Sequence, residues 1–175
     1  MTASVLNSVE NGRHWEMQNR MKYEGVCIAV SDVKSARKFY EDLFGLEIFQ
    51  DYGINVSFTC GVSLQQEFDS IVGIPKDTVV MKPHNMELYF EEIDFDEFVQ
   101  KLSQYPSVIY VNGGVKEHPW GQRTVDFYDL DGHIISVGEN MKAVVRRFLD
   151  SGMSIEETSS RMDVSVSDLE KLLNS

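Results

Sequence analysis

Apolar residues recur along this chain with two different periods, and the periods alternate. Residues 23–30 (YEGVCIAV) form a β-rich, largely apolar run, the pattern of a buried strand. Ser31-Asp32 then offers a helix N-cap. Val33, Ala36, Phe39, Tyr40 and Leu43 follow on one face of a helix over residues 33–43, and Gly45 stops it. Residues 46–51, 55–60 and 62–66 read as three strands, the first two separated by a turn at Gly53. Residues 68–81 hold no clean period and predict a loop with one helical turn.

The same order then returns. Residues 86–91 alternate like a strand. Residues 94–104 predict a helix whose stripe is Phe95, Phe98, Val99 and Leu102. Residues 108–111 form a short strand. Residues 124–128 and 134–137 make a hairpin across Asp131-Gly132, a strong turn dipeptide. Each copy reads strand, helix, three strands, and the copies start at residues 22 and 86. This duplication predicts an α+β fold of two βαβββ modules that form a curved mixed-sheet cleft, and clefts bind ligands.

The flanks differ from the repeat. Residues 1–20 show no period and predict a loose arm or short helix; Met21 would begin the patterned part. Residues 141–175 predict three short helices. The first carries Val144, Val145, Phe148 and Leu149 and stops at Gly152. Ser154 with Glu157 forms a capping box for residues 155–162, and Ser165 or Ser167 caps the last helix. The expected organisation is an arm (1–20), a paired-module domain (21–140) and a small helical tail (141–175).

Charge narrows the partners. The 175-residue chain carries a formal net charge of −12. Such a surface repels phosphate backbones and anionic membranes, so nucleic acid and membrane are not expected partners. No apolar run approaches the roughly 18 residues of a membrane span, and the N-terminus lacks the apolar core of a secretory signal. A cytoplasmic protein is the expectation. Cys27 and Cys60 both sit in apolar, strand-like runs and are expected to be buried thiols; their spacing does not imply a bridge.

Three stretches carry a family resemblance. CIAVSDVKSARKFYEDLFGLEIF (27–49) resembles the opening module of the vicinal oxygen chelate superfamily. ELYFEEIDFDEFVQKL (87–102) resembles the opening of its second module, and WGQRTVDFYDLDGHIISV (120–137) its closing hairpin. That superfamily includes glyoxalase I, extradiol dioxygenases, fosfomycin resistance proteins and bleomycin-binding proteins. The resemblance covers residues 22–140 and implies the fold more than the reaction, because one fold hosts many functions.

The resemblance also implies where a divalent metal would sit. Its enzymes gather His, Gln or Glu side chains from fixed strand positions on one ion, which polarises substrate oxygens. Carried over, the four positions here are Gly25, Gln66, Glu87 and Ser136. Glycine offers no side chain, and serine is a poor ligand. Only Gln66 and Glu87 remain, a degenerate pair, so the expectation is no tight metal and no cofactor.

The residues suited to gripping a ligand are Trp120, which can stack on a flat molecule, and Arg123, which can hold a carboxylate or phosphate bidentately. Glu87 can pair with a cation, and Tyr89 shares its face. Phe58 and Tyr110 are candidate walls. Ordinary core packing competes for both aromatics, and a salt bridge closing the hairpin competes for Arg123. His133 reads as a turn residue bonding the backbone, His118 as a solvated loop residue. His14 and His84 receive no role.

The phrase SGMSIEETSSRMDVSVSDLEKLL (151–173) resembles a helix-turn-helix, whose second helix reads DNA. Its charge argues otherwise: residues 141–175 hold five basic and six acidic side chains, and the would-be reading helix carries Asp168 and Glu170 against Lys171. Packing against a sheet or a dimer partner is the expected role. Dimers are common in the superfamily, so a homodimer is expected. The leading reading is a small-molecule binding protein of the bleomycin-resistance type. The alternatives are a metal-dependent glyoxalase- or dioxygenase-type enzyme and a ligand-sensing regulator that uses the tail.

Overall fold

The structure, a computed structural model, describes residues 21–105 and 107–174; the expected N-terminal arm lies outside the described residues. Strand β1 (Val26–Ala29) leads into helix α1 (Val33–Phe44), followed by β2 (Ile48–Asp51), β3 (Asn55–Phe58) and β4 (Val62–Gln65). Helix α2 (Phe68–Val72) and a 3-10 turn (Lys76–Thr78) fill the link. The second copy is β5 (Glu87–Glu92), α3 (Phe95–Ser103), β6 (Ile109–Glu117), β7 (Arg123–Tyr128) and β8 (Ile134–Glu139). Three tail helices follow: α4 (Met141–Asp150), α5 (Ile155–Met162) and α6 (Val166–Asn174).

Local signals set these boundaries. The Asp32 side chain accepts from the N–H groups of Lys34 and Ser35, and Gly45 closes α1 at φ 65° with its N–H on the Glu41 carbonyl. The Ser154–Glu157 capping box opens α5. Ser165, rather than Ser167, caps α6: its Oγ accepts from the Asp168 N–H at 3.2 Å. Two stretches differ from the sequence pattern. The link between modules holds a short helix and a 3-10 turn instead of one turn. Strand β6 extends past residue 111 to Glu117, with a register shift between Tyr110 and Val115. Gly113 and Gly114 occupy that shift at positive φ, and a glycine pair erases the apolar alternation by which a strand is read.

Each module forms its own four-stranded sheet, ordered β1-β4-β3-β2 and β5-β8-β7-β6. The pairs β1/β4 and β5/β8 are parallel; the others are antiparallel. The duplicated α+β architecture is as expected. One face of each sheet joins a single core that runs through both modules and holds Ile28, Val56, Leu64, Leu88, Phe127 and Ile135 with the buried sides of α1 and α3. Phe44 from the first module's helix carries this core into the second: its ring stacks on Phe90 at 4.7 Å and lies 5.9 Å from Phe98. The Asp-Leu-Asp-Gly-His turn adds polar staples. Asp131 accepts from the Ser31 N–H at 2.8 Å, and Asp129 accepts from the Tyr40 hydroxyl at 2.8 Å, both across the module boundary.

Because the helices and core occupy one side, the opposite face of each sheet is left open. That corrects the reading of the cysteines, which are free and exposed. Strand alternation sends Ile28 to the core and its neighbour Cys27 to the open face, while Cys60 lies in the turn between β3 and β4. The tail folds around a second, smaller core of Val144, Val145, Phe148, Met162 and Leu169. Among the described residues no helix is long and apolar enough to cross a membrane.

Candidate ligand-binding site

The open face of the second sheet is a grid set by strand register. Glu87, Tyr89 and Glu91 line up along β5. In the same rows, Ile134, Ser136 and Gly138 come from β8, and Tyr128, Asp126 and Thr124 from β7. Alternation turns the intervening residues, Leu88, Ile135, Val137, Val125 and Phe127, into the core. The face is therefore polar and acidic, with Glu87 and Glu91 exposed and Asp126 half-buried.

A hydrogen-bonded row crosses one end of the grid. Trp120 Nε1 donates to Gln122 Oε1 at 3.2 Å. Gln122 Nε2 donates to the Tyr89 hydroxyl at 2.8 Å and to the Glu139 carbonyl at 3.0 Å. The Tyr89 hydroxyl donates to Glu91 at 3.1 Å. Glycine at 138 makes this crossing fit: a Cβ there would stand 2.6 Å from the Tyr89 hydroxyl and 2.8 Å from Gln122 Nε2. Partial burial pushes the Tyr89 hydroxyl up; the bond from Gln122 opposes this, and the carboxylates of Glu91 and Glu87 reinforce it. It stays a neutral donor at physiological pH.

Trp120 is backed from below. Its ring stacks on His118 at 4.4 Å with planes 8° apart, and His118 Nε2 lies 3.1 Å from Thr124 Oγ on the open face. Trp120 remains 39% exposed and Tyr89 48% exposed. A crevice of about 440 Å³ adjoins this row, lined by Tyr23, Gly25 and Cys60 from the first module and by Met86, Glu87 and Tyr89 from the second.

Of the six residues expected to grip a ligand, Glu87, Tyr89 and Trp120 belong to this open side. The other three are corrected by the fold. Phe58 is 2% exposed, on the same face of β3 as Val56, and packs near Tyr40. Tyr110 pairs with Phe127 and packs against the core. Arg123 shares the Val125 and Phe127 face of β7 and is held there by Glu139 and Asp96, over the Phe95 ring. Gln122, His118 and Thr124 take part instead.

The residues at the four metal positions do not fit a divalent ion. Gly25 lies at φ 139°, and a Cβ built there would overlap the Gly61 carbonyl. Gln66 Oε1 accepts from the Val33 N–H at 3.1 Å, so this side chain caps α1. Glu87 and Ser136 occupy different rows of the grid. Among the described residues no three His, Cys, Asp or Glu side chains gather to hold a metal.

His133 is also more than a backbone-bonding turn residue. Its Nδ1 lies 2.8 Å from Asp129 Oδ2, which also accepts the Tyr40 hydroxyl. Burial pushes His133 down, but the hydrogen bond and charge of Asp129 outweigh it and hold the imidazole above its ordinary value.

Comparison with known proteins places this geometry in a family. A glyoxalase-like domain profile matches residues 23–142. Among curated proteins none matches. A structure of a protein of unknown function from Agrobacterium tumefaciens str. C58 is 32% identical, with a TM-score of 0.60, and the match covers 69% of this chain and 95% of that one. A glyoxalase/bleomycin resistance protein/dioxygenase family enzyme from Burkholderia phytofirmans PsJN shares the fold at 15% identity and a TM-score of 0.58, over 68% of this chain and 98% of that one. Lactoylglutathione lyase from Agrobacterium tumefaciens does so at 22% identity and a TM-score of 0.50, over 67% and 92%. The chain belongs to the glyoxalase-like domain family, within the vicinal oxygen chelate superfamily.

Proposed function

We propose that the protein binds a small, flat, cationic organic molecule on the open face of its second sheet, without a tightly held metal. The observation that carries this is the Trp120–Gln122–Tyr89 row beside the exposed carboxylates of Glu87 and Glu91. Trp120 supplies a stacking plate, the exposed Tyr89 hydroxyl supplies a directional hydrogen bond, buried Gln122 holds both in place, and the carboxylates favour positive charge. The unsuitable metal positions favour binding over Lewis-acid catalysis by this chain.

The face gains enclosure from a second copy. Each sheet has its helices on one side only, and the open sides carry exposed Phe49, Tyr89 and Ile109. Pairing the open side of one copy with that of another would bury these groups and close the site, so a homodimer belongs to the reading. The helical tail is a packing unit in this account, and its balanced charge and acidic last helix do not favour DNA.

Isothermal titration with bleomycin, a cationic glycopeptide with flat aromatic groups, tests the reading. Saturable heat, lost in Trp120→Ala and Glu87→Gln, is expected. No heat at high micromolar bleomycin would reject sequestration of this ligand class.

A further inference from the structure

The helical tail touches the second sheet where Trp120 and Gln122 are presented. Phe148 of α4 lies against Gly121, the residue between them; a Cβ at Gly121 would overlap the Phe148 ring. Gly121 sits at φ 88°, a conformation that favours glycine. Arg147 Nη2 donates to the Gly121 carbonyl at 2.6 Å and to Glu139 at 2.9 Å. The Glu139 backbone carbonyl in turn accepts from Gln122. Arg161 of α5 adds a third tie, to Glu117 at the end of β6, at 2.9 Å.

We propose that the three-helix tail is a clamp on the Trp120–Gln122 loop, so that docking of the tail and occupancy of the ligand face are coupled. The coupling residue is Phe148. It belongs to the tail's own core with Val144, Val145, Met162 and Leu169, and it also covers Gly121. Loosening that core frees the ring that holds the loop. The tail is a suitable element to shift, because a unit below about 40 residues rarely holds a fold alone. Its order depends on the sheet it docks on. By reciprocity, a ligand that needs Trp120 and Gln122 in place tightens the tail, and a loosened tail weakens the ligand. This second half rests on the ligand-face reading; the clamp itself does not.

The clamp is read without ligand. In a Trp15→Phe background Trp120 supplies the one remaining indole N–H of the chain. Leu169→Ala opens the tail core and leaves the loop sequence intact. The expected result is a shifted Trp120 indole resonance whose hydrogen exchange speeds at least tenfold together with amides of α5 and α6. Faster tail exchange with an unchanged Trp120 resonance would overturn the clamp. If Leu169→Ala does not fold, native-state exchange of the Trp15→Phe protein decides. The indole and the tail amides should open with one denaturant dependence, and separate dependences would overturn it. Bleomycin then tests the coupling: binding to Leu169→Ala should be at least tenfold weaker, and equal binding would refute it. Absence of heat with the Trp15→Phe protein counts against the ligand reading, and the indole measurement still settles the clamp.

Discussion

Arg147 and Glu139 meet through two hydrogen bonds, Nε to Oε1 at 3.0 Å and Nη2 to Oε2 at 2.9 Å. Arg123 grips the same carboxylate from β7 at 3.1 Å on each oxygen. Burial pushes Glu139 up, but its bonds to Arg123 and Arg147 outweigh this and hold the carboxyl below its ordinary value. Replacing it by a neutral isostere leaves two guanidinium groups facing an amide. Glu139→Gln should therefore cost about 3 kcal/mol, the lower end for a broken buried pair, because both arginine heads are partly exposed. Urea unfolding checks the loss. The sign with pH follows: a lowered folded value gives stability that is present above 4.5 and lost as pH falls through the folded value. The part of the acid-side loss that Glu139 contributes should be missing from the variant, while that of Asp129 remains.

Gly25 tests whether the metal position can be refilled. A histidine placed there meets the Gly61 carbonyl and a φ of 139° that L residues rarely adopt. Gly25→His combined with Ser136→Glu should lose about 2 kcal/mol or more and gain no zinc-dependent stability. A melting temperature that rises saturably with zinc in the double variant, but not in the parent, would refute this account.

Much of the fold was readable because burial here follows periodicity. Val33, Ala36, Phe39, Tyr40 and Leu43 are the buried residues of α1, and they are also its apolar stripe. The site was harder, although part of it could have been reached by the same counting. Val125 and Phe127 mark the core face of β7, so Arg123, two residues earlier, must share that face and Thr124 must not. The same count from Val56 turns Phe58 inward. Gln122 had no such signal. Its place depends on the crossing to Tyr89, on Gly138 beneath it, and on Phe148 more than 20 residues later. Those are contacts between distant parts of the chain, and periodicity carries no information about them. The stack of His118 on Trp120 was hidden for a related reason: two rings separated by a proline in a loop have no period at all.

The cysteines give a chemical check on the open faces. Both are exposed in the native fold. Ellman's reagent should therefore titrate two thiols without denaturant at dilutions where the chain is monomeric, and pairing of the open faces at higher concentration should slow them. Partial burial raises the Cys27 thiol above its ordinary value. It holds less thiolate at neutral pH than an unperturbed thiol, so Cys27 should react more slowly than free cysteine. Comparing Cys27→Ser and Cys60→Ser assigns the phases. Two thiols that react only in denaturant even in the monomer would mean that the chain itself covers the first sheet's outer face.

His133 should make the junction of the two modules sensitive to alkaline pH. The imidazole sits against Asp129, which also accepts from Tyr40 of the first module. Burial raises Asp129, yet the bonds from His133 and Tyr40 leave it below its ordinary value. For His133 the folded value is raised, so its contribution is fully present below 6.5 and fades as pH rises through the folded value. The parent protein should lose stability as pH rises from about 6 to about 9. His133→Gln keeps a donor but cannot charge, so it should lack that component and also show a smaller acid-side loss from Asp129, whose carboxyl the imidazolium helps to hold low. Denaturant midpoints across this range decide the matter. Parallel curves for parent and variant would show that the dyad does not carry a protonated histidine, and the staple between the modules would then be a neutral hydrogen bond.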